Sequence, residues 1–311
     1  MLNASEISEA AQRLRRGGLV AFPTETVYGL GADATQDAAV ARIFAAKQRP
    51  QFNPLIAHVA GIDAAMALGK FDSQAERLAG AFWPGPLTIV VERRSDCPVS
   101  LLVSAGLSSL ALRVPDHPIA LALLREVDRP VAAPSANRSG RISPTTAAHV
   151  RRSLGDAVDM ILDGGACSVG VESSVVQFLD GKIMLLRPGG VAREEIESLL
   201  GAKLDEVPDG AVLHGPGQLA SHYAPEAPLR LNAREPMVGE TYIGFASLQF
   251  AEHTLSSKGD LLEAAANLFR ILHEVDALKP AAIAVAPIPH HGLGEAINDR
   301  LRRAAAPRDN S

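Results

Sequence analysis

The stretch Leu19-Val20-Ala21-Phe22-Pro23-Thr24-Glu25-Thr26-Val27-Tyr28-Gly29-Leu30-Gly31 decides how the chain is read. Four apolar residues make a short buried strand, and Pro23 turns it at once into a loop of hydroxyls and glycines. Upstream, Ile7 to Arg16 spaces its apolar residues for a helix and stops at Gly17-Gly18, a C-terminal signal. Downstream, Asp37 to Lys47 is again helical in period and ends at Arg49-Pro50, because proline disfavours helix in the residue before it. Helix, strand, loop, helix is the order of an α/β protein, and such proteins place their sites in loops at strand ends.

Working outward, strands are expected at Pro54 to Val59, Leu87–Val91, Leu110–Val114, Pro130–Ala133, Met160–Asp163, Ser174–Leu179 and Ile183–Leu186. Helices are expected at Ser73–Phe82, Ile119–Glu126, Thr145–Leu154 and Glu194–Leu200. The two types mix without strict alternation, which predicts a twisted mixed sheet flanked by helices rather than a purely parallel one. From about Gly201 to Pro228 the chain is dense in Gly, Pro and turn formers and reads as a linker. Beyond it, Thr241–Ala246, the helix Leu261–Ala277, Ala281–Ala286 and the helix Gly294–Ala305 make a smaller α/β domain. The expected division is therefore 1–200, 201–228 and 229–311, which suits a chain of 311 residues, beyond the size at which one core stays economical.

Composition narrows the function. No run approaches the roughly 20 apolar residues of a membrane span, and the N-terminus lacks a secretory layout, so a cytoplasmic protein without membrane attachment is expected. Cys97 and Cys167 show no paired spacing, so both are expected to be reduced, buried thiols and no structural metal is indicated. The net charge of −5 argues against broad phosphate-driven nucleic-acid binding, so any RNA contact must be local or indirect. Basic and acidic residues nearly balance up to Val191 and the acidic excess lies beyond it, which leaves room for a basic pocket in the first part.

Taken singly, the candidate site residues each have a plain structural reading. The loop Thr24–Gly31 offers hydroxyls and amides to a polar ligand or is simply a tight turn, and it matches neither a P-loop nor a dinucleotide fingerprint. Lys47 and Arg49 either complement a helix dipole on a solvated face or supply cations to a site. Asn53-Pro54-Leu55-Ile56-Ala57-His58 leads from those cations into a strand, where His58 by itself is as readily structural as functional. Pro134-Ser135-Ala136-Asn137-Arg138-Ser139-Gly140 follows a strand, and Ser143-Pro144-Thr145 opens a helix with a capping-type serine; together they make an anion site or a capped helix with a polar loop. Arg113 in an apolar strand must meet an anion, from the protein or from a substrate, and Arg187 before Pro188-Gly189-Gly190 poses the same choice. Glu172 with Ser173-Ser174 orients a small ligand or begins a strand, and His290-His291 reads as surface, with metal binding the alternative. No nucleophilic triad, zinc spacing or carboxylate pair stands out. Many cations, hydroxyls and amides with few acids suit the binding and orienting of phosphates, where positioning supplies most of the catalysis.

In this order and spacing the same segments resemble the YrdC/Sua5 family. The resemblance rests on Pro23 to Gly31, Lys47-x-Arg49-Pro50 with Asn53-Pro54-Leu55, Trp83-Pro84-Gly85-Pro86-Leu87-Thr88, Arg113-Val114-Pro115, Pro134-Ser135-Ala136-Asn137-x-Ser139-Gly140 and Arg187-Pro188-Gly189. The segment Gly215-Pro216-Gly217-Gln218-Leu219-Ala220-Ser221-His222-Tyr223-Ala224-Pro225 is similar to the linker of the longer Sua5 form, with Gln218 where methionine is expected.

The resemblance implies a YrdC-like catalytic domain with a twisted mixed sheet and a smaller Rossmann-like C-terminal domain. It implies a nucleotidyltransferase that turns L-threonine, bicarbonate or CO₂, and ATP into L-threonylcarbamoyladenylate and pyrophosphate, the first step of tRNA N6-threonylcarbamoyladenosine modification. Mg²⁺ accompanies the ATP, and the product can pass to a tRNA threonylcarbamoyl transferase complex. Position by position, Lys47, Arg49, Ser135 and Asn137 match the family's tetrad at the nucleotide phosphates, and Asn53, Ser143 and Arg187 its other ATP contacts. Thr26, His58, Arg113, Ala133 and Ser173 match positions around the threonine, and Tyr223 the residue that closes over the nucleotide. Two rivals remain from the sequence: a double-stranded RNA-binding module without catalysis, and a carbamoyl-transfer enzyme, which would be expected to carry further zinc-finger and acylphosphatase-like domains.

Overall fold

The computed structural model describes residues 4–50, 52–179, 181–205, 221–247 and 249–307. The chain opens with helix α1 (Ala4–Arg15), whose Ala10, Ala11 and Leu14 are buried. Strand β1 (Val20–Phe22) pairs antiparallel with β2 (Gly29–Asp33). The expected loop is thus shorter than its glycines suggest: Gly29 to Gly31 lie inside β2, fully buried, and the turn is confined to residues 23–28.

Helix α2 (Asp37–Lys47) buries Val40, Ile43, Phe44 and Lys47 on one face. Lys47 falls on that apolar stripe because it stands four residues after Ile43 and three after Phe44. Gln48 then adopts a left-handed conformation (φ 53°), which ends the helix and swings Arg49 inward. The solvated-face reading of Lys47 and Arg49 is therefore overturned: both are buried, at 1% and 8% exposure.

The large sheet continues with β3 (Ile56–His58), β4 (Gly69–Lys70), β5 (Leu87–Arg93), β6 (Ser109–Arg113), β7 (Val131–Ala132), β8 (Met160–Ile161), β9 (Ser174–Leu179) and β10 (Lys182–Arg187). Its order is β10-β9-β5-β6-β3-β7-β2-β1-β8, with β4 on the far end of β5. The pairs β1/β8, β3/β6 and β5/β9 are parallel and the rest antiparallel, the mixed sheet that irregular alternation predicts. Helices α3 (Ile62–Met66), α4 (Ser73–Phe82), α5 (Pro118–Val127), α6 (Ala147–Leu154) and α7 (Arg193–Leu200) flank it. Thr146 caps α6, accepting from the His149 amide, so Ser143 does not have the capping role the sequence suggests for it. Cys167 is buried, whereas Cys97 is only half-buried, contrary to expectation.

The second unit has a four-stranded all-parallel sheet in the order β11-β14-β12-β13, from β11 (Leu229–Arg230), β12 (Glu240–Gly244), β13 (His253–Thr254) and β14 (Ala282–Val285). Helices α8 (Leu261–Ala277) and α9 (Leu293–Ala305) pack on it around Leu268, Phe269, Leu272 and Ile297. That core takes in Val27, Ile142 and Val171 of the first unit, so one apolar cluster crosses the seam. Helix α7 sits on the first unit, where Arg77 Nη2 donates to the Leu199 carbonyl at 2.6 Å.

Candidate active site

The register of the sheet builds the site. Strands β3 and β6 run parallel with His58 opposite Arg113, so both side chains stand at carboxyl ends, where α/β sheets offer a crevice. The turn of residues 23–28 lies beside them and is held by Thr24, whose Oγ1 donates to the Val27 carbonyl at 2.7 Å and accepts from the Val27 amide at 3.2 Å. On the other side, Gly189 lets residues 188–190 press against 172–174. A Cβ there would meet Ser173 C and Ser174 N at 2.3 Å, closer than any side chain tolerates.

These elements enclose a pocket with about 580 Å³ of empty space including its mouth. Its walls carry Thr26, Arg49, His58, Arg113, Ala133, Ser135, Ser173, Arg187 and Tyr223, nine of the residues singled out in the sequence. Lys47, Asn53, Asn137 and Ser143 are not on the wall but directly behind it. Lys47 Nζ donates to the carbonyls of Ser135 and Asn137, both at 2.5 Å, and the Lys47 carbonyl accepts from the Ser139 amide at 2.8 Å. In this arrangement Lys47 fixes the 134–140 loop. Asn137 Nδ2 donates to the carbonyls of Arg138 and Arg141, which curls that loop over itself.

The guanidinium groups are partly committed. Arg49 donates to the carbonyl of Pro54 at 3.1 Å, and Arg187 to the Ser173 carbonyl at 2.8 Å and its hydroxyl at 3.1 Å. Arg113 Nη2 donates to Glu25 Oε1 at 2.6 Å and Thr26 Oγ1 at 3.0 Å. The anion that Arg113 requires is thus a protein carboxylate, while its Nη1 has no protein partner among the described residues. Glu172 is a second buried carboxylate, and unlike Glu25 it lies on the wall, accepting from Ser143 Oγ at 2.5 Å and from Arg300 Nε at 2.7 Å.

Burial sets the protonation of these groups. It pulls the Lys47 ammonium well below its ordinary value, with Arg49 adding repulsion, and brings Arg49 down to about 10. His58 falls to about 3, from burial first and then from Arg113, so its imidazole is neutral at pH 7. Burial acts to raise Glu172, but Arg300, Arg187 and the Ser143 hydroxyl outweigh it and hold the carboxylate below its usual range. Near the pocket several buried polar atoms lack partners: both amide atoms of Asn53, His58 Nδ1, Asn137 Oδ1 and the Tyr223 hydroxyl. Buried polar groups are seldom orphaned, and a cluster of orphans around a cavity fits a polar ligand that would satisfy them.

Tyr223 closes the pocket from the linker. It is buried at φ 64°, its ring 5.5 Å from Phe269 of α8, and the neighbouring Ala224 amide donates to the Gly140 carbonyl at 2.8 Å. The part of the linker motif at 215–220 lies outside the described residues. Sequence reasoning missed Glu25, His222 and Arg300 as parts of this neighbourhood, and it left Glu172 open. An acid next to Thr26 and one before Ser173 were the available signals; nothing in the sequence marks Arg300, 128 residues from its partner.

Fold and pocket together define a two-domain α/β protein with a pocket lined by three buried guanidinium groups beneath a cover from its linker. The family model Sua5/YciO/YrdC, described as "Telomere recombination", matches residues 12–189, and the "Threonylcarbamoyl-AMP synthase, C-terminal domain" model matches 191–306. The chain belongs to the Sua5/YciO/YrdC family, in the form that carries the second domain. It is 39% identical over 98% of its length to a Bacillus subtilis threonylcarbamoyl-AMP synthase, covering 94% of that protein. It is also 39% identical over 96% of its length to the Pyrococcus abyssi enzyme of that name, again covering 94%. The crystal structure of P. abyssi Sua5 complexed with L-threonine superposes with a TM-score of 0.89 at 37% identity, covering 98% of this chain and 95% of that one. The second family model begins at Val191, inside the 1–200 span that the sequence reading gives to the first domain.

Proposed function

We infer that the chain is a threonylcarbamoyl-AMP synthase, condensing L-threonine, bicarbonate or CO₂, and ATP into L-threonylcarbamoyladenylate and pyrophosphate for tRNA modification. The observation that carries this is the convergence of Arg49, Arg113 and Arg187 with neutral His58 on one pocket, in a chain of this family, with unpartnered amide atoms of Asn53 and Asn137 behind its wall. Double-stranded RNA binding is not favoured, because these cations are buried around a cavity instead of spread over a face.

The threonine amine first takes up CO₂, or bicarbonate with loss of water, to give a carbamate. A carbamate oxygen then attacks the α-phosphorus of ATP, and the bond to the bridging oxygen breaks to release pyrophosphate. Arg113 Nη1 receives the threonine carboxylate, with Thr26, His58, Ala133 and Ser173 shaping that end. Arg49 and Arg187 neutralise charge building on the phosphates, where preorganised donors count most. Ser135, Asn137 and Asn53 supply polar contacts to the nucleotide, and Lys47 holds the 134–140 loop in register. Ser143 acts through Glu172. Attack on the α-phosphorus needs no general base, since the carbamate is already an anion; the protons shed as the threonine ammonium becomes a carbamate pass to solvent or to free bicarbonate. The cover formed by Tyr223 keeps water from a mixed anhydride prone to hydrolysis.

Among the described residues no group of three or more His, Cys, Asp or Glu is placed to hold a metal ion. The donors therefore do not form a protein cage for Mg²⁺, which would enter as the hydrated counterion of ATP, as its reluctance to dehydrate favours. The unstable product would be handed directly to a tRNA threonylcarbamoyl transferase. The test is to supply ¹³C-bicarbonate with ATP, Mg²⁺ and threonine: a labelled carbonyl in a threonine- and AMP-containing product is expected, and an unlabelled adenylate would refute the reaction.

A further inference from the structure

The reaction as drawn makes no use of Arg300, although its surroundings tie it to the site. It belongs to α9 of the second domain, yet its side chain is wholly buried. Burying a guanidinium is costly unless its charge and donors are matched. Nε donates to Glu172 Oε2 at 2.7 Å and Nη1 to Asp299 Oδ2 at 2.6 Å, while Nη2 is buried without a partner. Cζ lies 5.1 Å over the Tyr223 ring, within cation–π range. One turn along, Arg303 pairs with Asp299 at 3.0 Å, and its carbonyl accepts the His222 amide at 3.1 Å. The end of α9 therefore grips both the acid on the pocket wall and the two residues that cover the pocket.

The charge arithmetic gives this grip a consequence. Glu172 faces the pocket beside Arg187, where the phosphates of a nucleotide are to bind. An uncompensated carboxylate there would repel those phosphates and compete for Arg187. Arg300 cancels it from behind without entering the pocket, since it is absent from the pocket's walls.

We propose that Arg300 is a positioning residue of this site, by which the second domain neutralises Glu172 and seats Tyr223 over the nucleotide. The proposal rests on the reading of the pocket as the ATP site of a threonylcarbamoyl-AMP synthase, and it assigns the second domain a part in ATP affinity.

The experiment compares wild type, Arg300→Met, Glu172→Gln and the double variant in full-length protein, measuring KM for ATP and for threonine, kcat for pyrophosphate release, and calorimetric binding of a non-hydrolysable ATP analogue. Arg300→Met is expected to raise KM for ATP about ten-fold or more, the scale of one lost charge interaction, with KM for threonine changed less than about three-fold. Adding Glu172→Gln should then restore a substantial part of the lost ATP affinity, because it removes the unpaired charge; a merely structural defect would deepen instead. An ATP KM within about two-fold of wild type, or losses that multiply in the double variant, would overturn the proposal. Should Arg300→Met fail to fold, Arg300→Lys carries the test: it keeps the charge but loses the fork that spans Glu172 and Asp299, so a rise of about three-fold or more is expected and an unchanged KM overturns it. A wild-type protein that binds the analogue but makes no threonine-dependent product would sink the assigned reaction and leave Arg300 to be judged on analogue binding.

Discussion

Replacing Gly170 by alanine should unseat the second domain. Gly170 has φ 74°, and a Cβ on it would meet Ala265 O and Ala266 Cα at 2.5 Å and Ala266 O at 2.6 Å, all backbone of α8. Non-bonded carbons settle at about 3.5–4.0 Å, so the helix must retreat by about 1 Å. The left-handed backbone costs an L-residue about 1–2 kcal/mol before any displacement. With packing lost along α8 the total reaches about 2–4 kcal/mol, large for one substitution. For a domain of this size that is a fall in melting temperature on the order of 8–30 °C. Helix α8 also carries Phe269, whose ring lies tilted against that of Tyr223, and His273, whose Nε2 lies 3.1 Å from the Ser143 carbonyl, so ATP affinity should weaken together with stability. Differential scanning calorimetry and the KM for ATP read the two effects. A melting temperature within about 1 °C of wild type and an unchanged KM would refute the view that this close approach holds the domains together.

Other expectations follow from the same geometry. Arg113→Ala should weaken threonine binding by about 10- to 100-fold, the worth of a charge-assisted hydrogen bond, with ATP affinity nearly unchanged in calorimetry; an equal loss for both ligands would contradict its assignment to the threonine end. Arg49→Ala should lower kcat for pyrophosphate release by about 100-fold or more, checked by steady-state kinetics alongside circular dichroism. His58, His149 and His273 are lowered to about 3, 3 and 4, in each case chiefly by burial. A histidine lowered on folding leaves the unfolded chain holding more protons, so its stabilisation is complete above the ordinary value of 6.5 and drains away as pH falls toward 4. The urea midpoint should therefore decline between pH 7 and pH 5, before carboxylates titrate, and His273→Asn should flatten the slope; a flat wild-type profile over that range would rule this out.

Much of the fold was legible because its signals are local. Helices α2, α4 and α8 fall where their periodicity and stop signals put them, and the strand runs at 87–91, 110–114 and 174–177 are buried without a break. The short elements α3, β4, β11 and β13 escaped, since strands of two residues are defined by partners, not by pattern. The site divides in the same way. Lys47 and Arg49 could be suspected from their spacing, but only the tertiary fold shows Lys47 spent on two carbonyls. Arg113 demanded an anion from its apolar strand, and Glu25, 88 residues away, could not be selected among dispersed acids. Ser143 looked like a cap until Glu172 was seen to take its hydroxyl.

The most direct test of the assigned activity is to incubate the purified protein with ATP, Mg²⁺, bicarbonate and each of a panel of amino acids, following pyrophosphate release and the mass of the nucleotide product. Release that depends on threonine and on bicarbonate, with a product of threonylcarbamoyl-AMP mass, is predicted. Release indifferent to threonine, or none with any amino acid, would contradict the account.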